Sequence, residues 1–150
     1  MTKAIYLDMD GTFVDLYGVA DWLLQLRAEN PAPYINAKPL VNLSNLAKAL
    51  NKAQANGYYI GIISWTSKGG SAKYNKAVAE AKKAWIKKHL PSVCFNEITI
   101  VDYGTPKAQA VKVKNGILFD DEEQNRKAWA GKAYNVNAIA KTINTVVKAV

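Results

Sequence analysis

The 150-residue sequence predicts an α/β fold: a three-layer arrangement with a mostly parallel, five-stranded sheet and a small insert after the first strand. Three observations lead there. Short apolar runs bounded by turn residues alternate with stretches of helical periodicity. Hydrophobic side chains make up 49% of the chain and charged ones 21%, the balance of a single globular domain over 1–150. At this length a chain hides roughly two-thirds of the surface its unfolded form exposes, so it needs neither disulfides nor a structural metal to fold.

Taken in order, Lys3 to Met9 reads as a buried strand ended by Asp10-Gly11. From Leu40, apolar residues recur at Leu43, Leu46, Ala47, Leu50 and Ala53, one face of a helix, until Asn56-Gly57 supplies a stop. Tyr58 to Ile63 is the second strand, and a long Ala/Lys helix follows from Ser71 to His89, closed by Pro91. Glu97–Val101, Gly116–Phe119 and Lys132–Asn135 supply three more strands, with helices near 106–112, 122–130 and 137–149. The last helix carries Ile139, Ile143, Val146 and Val147 on one face, which suits packing or a dimer. Residues 11–39 break this rhythm, with an amphipathic stretch from Val19 to Arg27 and the turn-rich Asn30-Pro31-Ala32-Pro33. A simple crossover needs no such insert, so 11–39 is a candidate cap or flap; a hairpin packed only for stability is the alternative.

Composition narrows the function classes. The single cysteine, Cys94, cannot form an internal bridge, fits a reducing compartment and is expected as a small core residue. No apolar run approaches the ~18–20 residues of a membrane span, and the first residues show no signal-peptide pattern, so the expectation is a cytoplasmic protein. The net charge of +8 is local: residues 71–114 hold nine basic and three acidic groups. Most of that excess is Lys73, Lys76, Lys82, Lys83, Lys87 and Lys88 on the long helix. Such a stripe is either a solvated face or an electrostatic footprint for nucleotides or nucleic acid.

In a parallel α/β sheet, ligands bind outside the carboxyl ends of the strands. Asp8 and Asp10 fall at the end of the first strand, Ser64 at the second, Lys107 after the third and Asp120-Asp121 at the fourth. Carboxylates crowded on one edge repel one another, so a cation is needed for most of them to stay ionised. All-oxygen ligation points to Mg²⁺, and one histidine with one cysteine makes a zinc site improbable.

Asp8-Met9-Asp10-Gly11-Thr12 resembles the first motif of the haloacid dehalogenase (HAD) superfamily of aspartate-nucleophile phosphatases and phosphotransferases. Ser64, Lys107 and Asp120-Asp121 follow in the order of that family's second, third and fourth motifs, so the resemblance spans the chain. It implies a Rossmann-like core, with Asp8 as nucleophile forming an aspartyl-phosphate and Asp10 as general acid and base. Ser64, Lys107 and Thr12 would bind the phosphoryl group, while Asp8, the Asp10 carbonyl, Asp120 and Asp121 would hold Mg²⁺. An Asp at the position of Asp10 goes with phosphatases and phosphomutases in that family, and the small insert disfavours a mutase.

The tract from Lys107 to Asn125 is similar to the fourth-motif region of the 5'(3')-deoxyribonucleotidase branch, which suggests a nucleoside monophosphate substrate. The insert is short for that branch's cap, so no base-recognition residues carry over. Phe13, Tyr17, Trp22, Tyr34 and Trp65 stand near the expected mouth and could stack on a base, Trp65 foremost. Two other functions remain open: a phosphatase for nucleic-acid ends, contacted through the Lys73–Lys88 helix, and a non-catalytic binding protein on a HAD scaffold. Nothing in the sequence sets the oligomeric state.

Overall fold

The computed structural model describes residues 2–148. Five parallel strands form the central sheet: β1 (Ala4–Leu7), β4 (Tyr59–Trp65), β5 (Glu97–Val101), β6 (Ile117–Phe119) and β7 (Ala133–Tyr134). Their spatial order is β5-β4-β1-β6-β7, which puts β1, the strand leading to Asp8, in the middle. A separate two-stranded ribbon pairs β2 (Val14–Asp15) with β3 (Lys38–Pro39). The helices are α1 (Trp22–Arg27), α2 (Ala32–Asn36), α3 (Leu43–Ala55), α4 (Ala72–His89), α5 (Lys107–Ala110), α6 (Glu123–Ala128) and α7 (Ile139–Lys148). Residue 149, expected within the last helix, lies outside the described residues.

Alternation along the strands builds two cores. Ile5, Leu7, Ile60 and Ile62 face α3, α7 and the second half of α4, meeting Leu46, Leu50, Trp85 and Ile143. Ala4, Tyr6, Ile63 and Leu118 face the other way, toward Val111 and Trp129. Gly61 lets β4 lie against the Tyr6 ring, since a Cβ there would stand 2.5 Å from Tyr6 Cε1. The α7 face carrying Ile139, Ile143 and Val147 is buried and packs with α3 in the first core, so its apolar stripe is spent within the chain. Local chemistry agrees with the helix ends: Asn42 and Ser71 accept backbone N–H groups as N-caps of α3 and α4.

Residues 11–39 form a compact insert closed at its base by the β2/β3 ribbon. Leu16, Tyr34 and Leu26 from the insert pack on Tyr74, Val78 and Ala81 of α4. Hydrogen bonds reinforce this seam. Ser71 Oγ donates to Glu29 Oε1 at 2.6 Å, Tyr74 Oη donates to the Asn30 carbonyl at 3.0 Å, and Trp85 Nε1 donates to the Ala37 carbonyl at 2.8 Å.

Three expectations need correction. Cys94 is free and exposed: in the loop before β5, Val93 turns inward and its neighbour turns out. Phe13, offered as a stacking residue, is fully buried and packs against Trp85 with ring centroids 5.8 Å apart. Lys82, counted with the solvent-facing lysines of α4, is 2% exposed. Among the described residues, no helix is long and apolar enough to cross a membrane.

Candidate active site

The carboxyl ends of β1, β4 and β6 meet at one edge of the sheet, where the chain places its titratable residues. The ladder carries the geometry past the strands: Asp8 N–H donates to the Phe119 carbonyl at 2.9 Å, and Asp120 N–H to the Tyr134 carbonyl at 3.2 Å. The chain then turns sharply, with the N–H groups of Thr12, Phe13 and Val14 all directed at the Met9 carbonyl. Gly11 takes a φ of +78°, and a Cβ on it would meet Asp121 Oδ2, so this position requires glycine on both counts.

Asp8 is 7% exposed and both its oxygens are engaged. Lys107 Nζ donates to Oδ1 at 2.8 Å and Thr12 Oγ1 to Oδ2 at 3.0 Å. Thr12, expected to bind the phosphoryl group, is itself buried, and its hydroxyl is engaged with Asp8. Lys107 also donates to Asp120 Oδ2 at 2.7 Å and bridges two carboxylates. Burial opposes charging its ammonium, but the attraction of Asp8 and Asp120 prevails and raises the pKa.

Carboxylate oxygens of Asp8, Asp120 and Asp121 lie within 4.8 Å of one another. Burial, then repulsion from Asp8, pushes the Asp120 carboxyl up, against the pull of Lys107. The same two causes, with Asp120 added, push Asp121 up to about 8. Like charges at this spacing call for a cation, and the all-oxygen donor set fits Mg²⁺. The Asp10 carboxylate stands apart from this group and turns toward α4 instead.

There it meets Lys82, which the sequence reading missed. Lys82 Nζ donates to Asp10 Oδ2 at 2.7 Å, Ser64 Oγ at 2.8 Å and the Trp65 carbonyl at 2.6 Å. Burial raises the Asp10 carboxyl, and Lys82 opposes that rise. A signal for Lys82 exists in the sequence: it falls on the helical stripe Tyr74, Val78, Ala81, Trp85 and Ile86, which is the buried side of α4.

A cavity of about 660 Å³ opens above these groups, lined by Asp8, Asp10, Ser64, Lys107 and Asp120 at its polar end. Two aromatic pairs border it. Tyr17 and Trp22 from the insert meet edge to face at 5.0 Å, and Trp65 and Tyr103 from the core lie 4.8 Å apart. Trp65 is anchored by Nε1 donating to the Thr105 carbonyl at 2.8 Å. Partial burial, then the Asp10, Asp121 and Asp8 carboxylates, raise the phenol pKa of Tyr17. Tyr103 and Thr66 were not foreseen. Thr66 Oγ1 is buried with no hydrogen-bond partner among the described residues, and Thr66 lines the cavity.

The fold recurs in solved structures. Over 99% of this chain and 100% of the other, it is similar to a D,D-heptose 1,7-bisphosphate phosphatase from B. bronchiseptica complexed with magnesium and phosphate, with a TM-score of 0.62 at 11% identity. The D,D-heptose 1,7-bisphosphate phosphatase of Burkholderia thailandensis matches over 97% and 99% of the two chains, with a TM-score of 0.57 at 11% identity. The architecture is shared. No family model matches the sequence, and no curated protein does either.

Proposed function

We propose that the chain is a Mg²⁺-dependent phosphatase of HAD type that hydrolyses a small phosphomonoester, a nucleoside monophosphate, through an aspartyl-phosphate on Asp8. One observation carries this reading: a carboxylate at the end of the central strand, fixed by Lys107 and Thr12, stands beside two more carboxylates at the polar end of a cavity. The two phosphatases that share the fold support it, one of them complexed with magnesium and phosphate.

In this scheme an Asp8 oxygen forms a bond to phosphorus as the ester P–O bond breaks, and Asp10 gives its proton to the departing alkoxide. Water then adds to phosphorus while Asp10 takes up its proton, which releases phosphate and restores Asp8. Ser64 and Lys107 hold the phosphoryl oxygens, and the Thr66 hydroxyl is an added donor. Mg²⁺ held by Asp8, Asp120, Asp121 and the Asp10 carbonyl would screen the repulsion between an anionic nucleophile and an anionic substrate. The raised Asp10 carboxyl suits a group that must hold a proton before it donates one.

The insert 11–39 serves as a small cap, and the nucleotide reading rests on Tyr17, Trp22 and Trp65 around the cavity, with room for a base to stack. The free cysteine suits a reducing, cytoplasmic setting. A second reading, a nucleic-acid-end phosphatase, draws on the exposed Lys73, Lys76, Lys83, Lys87 and Lys88 of α4. A panel of mononucleotides, sugar phosphates and 3'- and 5'-phosphorylated oligonucleotides, with and without Mg²⁺, separates these. The expected result is Mg²⁺-dependent phosphate release, fastest from mononucleotides and lost in Asp8→Asn. Faster release from oligonucleotides favours the second reading, and inactivity across the panel leaves a binding protein on this scaffold.

A further inference from the structure

Lys82 is the most deeply buried cation whose role the scheme above leaves open. Its side chain leaves the middle of α4 and ends between the β1 turn and the tip of β4. Each of its three N–H donors has an acceptor: Asp10 Oδ2 at 2.7 Å, Ser64 Oγ at 2.8 Å and the Trp65 carbonyl at 2.6 Å. The Tyr34 ring of the insert covers it at 5.2 Å, and Lys82 does not line the cavity. An ammonium with no donor to spare and no access to the cavity cannot bind a substrate phosphate.

We infer that Lys82 is a positioning residue for the proton-transfer step, acting through Asp10 and, in second place, Ser64. By occupying Asp10 Oδ2 it fixes the carboxyl rotamer and leaves Oδ1 to meet the leaving oxygen. By donating to Ser64 Oγ it takes up an acceptor site on that hydroxyl, so the hydroxyl hydrogen is free for a phosphoryl oxygen in the cavity that Ser64 lines. Proton transfer depends steeply on placement, and a buried cation bonded to three rigid acceptors is a stiff way to set it. The inference rests on the phosphatase reading and adds a specific signature to it: loss of Lys82 should matter in proportion to how much the leaving group needs a proton.

The test compares an alkyl phosphomonoester, β-glycerol phosphate, with p-nitrophenyl phosphate, whose phenolate leaves with little help. In Lys82→Met, kcat/KM should fall at least about tenfold more for the alkyl ester than for the aryl ester, within the range of about 10²–10⁴ that general acid catalysis contributes. Lys82→Met strands the buried Asp10 carboxylate without its cation and lowers stability, so the decisive comparison is Asp10→Asn against Asp10→Asn/Lys82→Met, where no such charge is stranded. In that background the alkyl-to-aryl ratio should stay the same within about twofold, because the group that Lys82 positions is already gone. An equal fall for both esters in Lys82→Met, or a further change of the ratio in the double variant, overturns the inference. A wild-type protein that hydrolyses neither ester with Mg²⁺ overturns the phosphatase reading and the role of Lys82 with it.

Discussion

Two clusters of buried polar groups sit on this sheet, and they are finished to different degrees. Around Glu97, at the start of β5, the carboxylate accepts from Tyr6 Oη at 2.7 Å, Tyr59 Oη at 3.2 Å, Thr99 Oγ1 at 2.6 Å and the Lys112 N–H at 3.2 Å. Tyr6 Oη in turn accepts from the Val113 N–H at 3.0 Å. One charge is met by four donors and needs nothing from outside. At the opposite edge the carboxyl groups of Asp8, Asp10, Asp120 and Asp121 stand with the ammonium groups of Lys82 and Lys107, four acids to two bases. With all four ionised the deficit would equal the charge of one divalent cation, and it falls where the cavity opens. Polar burial at Glu97 therefore serves the fold, and polar burial at Asp8 is completed by a ligand.

Removing the cation should break that comparison most visibly. In the scheme proposed above, chelating Mg²⁺ abolishes turnover, and its return restores it. The raised Asp121 carboxyl, at about 8, adds a sign. A folded-state value above the unfolded 3.8 means that the metal-free chain loses stability as pH rises through that window, since ionising Asp121 is harder in the fold than in the open chain. Mg²⁺ favours the ionised form, so its stabilisation should grow with pH. Melting curves with and without Mg²⁺ at about pH 6 and about pH 8 should show the larger rise in Tm at the higher pH; an equal rise at both would contradict the charge deficit.

Glu97→Gln probes the finished cluster. Its amide NH₂ would face donors already in place, so stability should drop by about 1–3 kcal/mol, while kcat/KM of the folded protein stays unchanged. A loss of activity without a loss of stability would dissolve the distinction between the two edges. The smallest effect is expected on the outer face of α4. Replacing Lys73, Lys76, Lys83, Lys87 and Lys88 with Gln should leave mononucleotide hydrolysis within about twofold at moderate salt, because these side chains are solvent-exposed and salt screens exposed charges. A large, salt-dependent loss confined to oligonucleotide substrates would move the function toward nucleic-acid ends.

How much of this was legible in the sequence depended on what each residue answers to. Strand ends are local: an apolar run broken by Asp10-Gly11 shows where Asp8 must stand, and the same logic places Ser64 and Asp120. Lys107 was found because it follows a strand by a short loop. Lys82 was hidden among six lysines on one helix, and only its phase against Val78 and Ile86 separates it from its neighbours. Phe13 was misread because closeness to Asp10 in sequence says nothing about side-chain direction, and the turn after Gly11 points it into the core against Trp85. The strand order β5-β4-β1-β6-β7 is a matter of long-range pairing that no local pattern encodes. Thr66 and Tyr103 gained their places from the same tertiary assembly.

The most direct test is to look for the phosphoryl group on Asp8. In Asp10→Asn, which in the proposed scheme lacks the base that activates water, acid quenching during reaction with Mg²⁺ and p-nitrophenyl phosphate, whose phenolate leaves with little help from an acid, should trap an acyl phosphate on the peptide that carries Asp8. Hydroxylamine should release it. Phosphate trapped on any other residue, or Mg²⁺-dependent turnover that survives Asp8→Asn, would contradict the account.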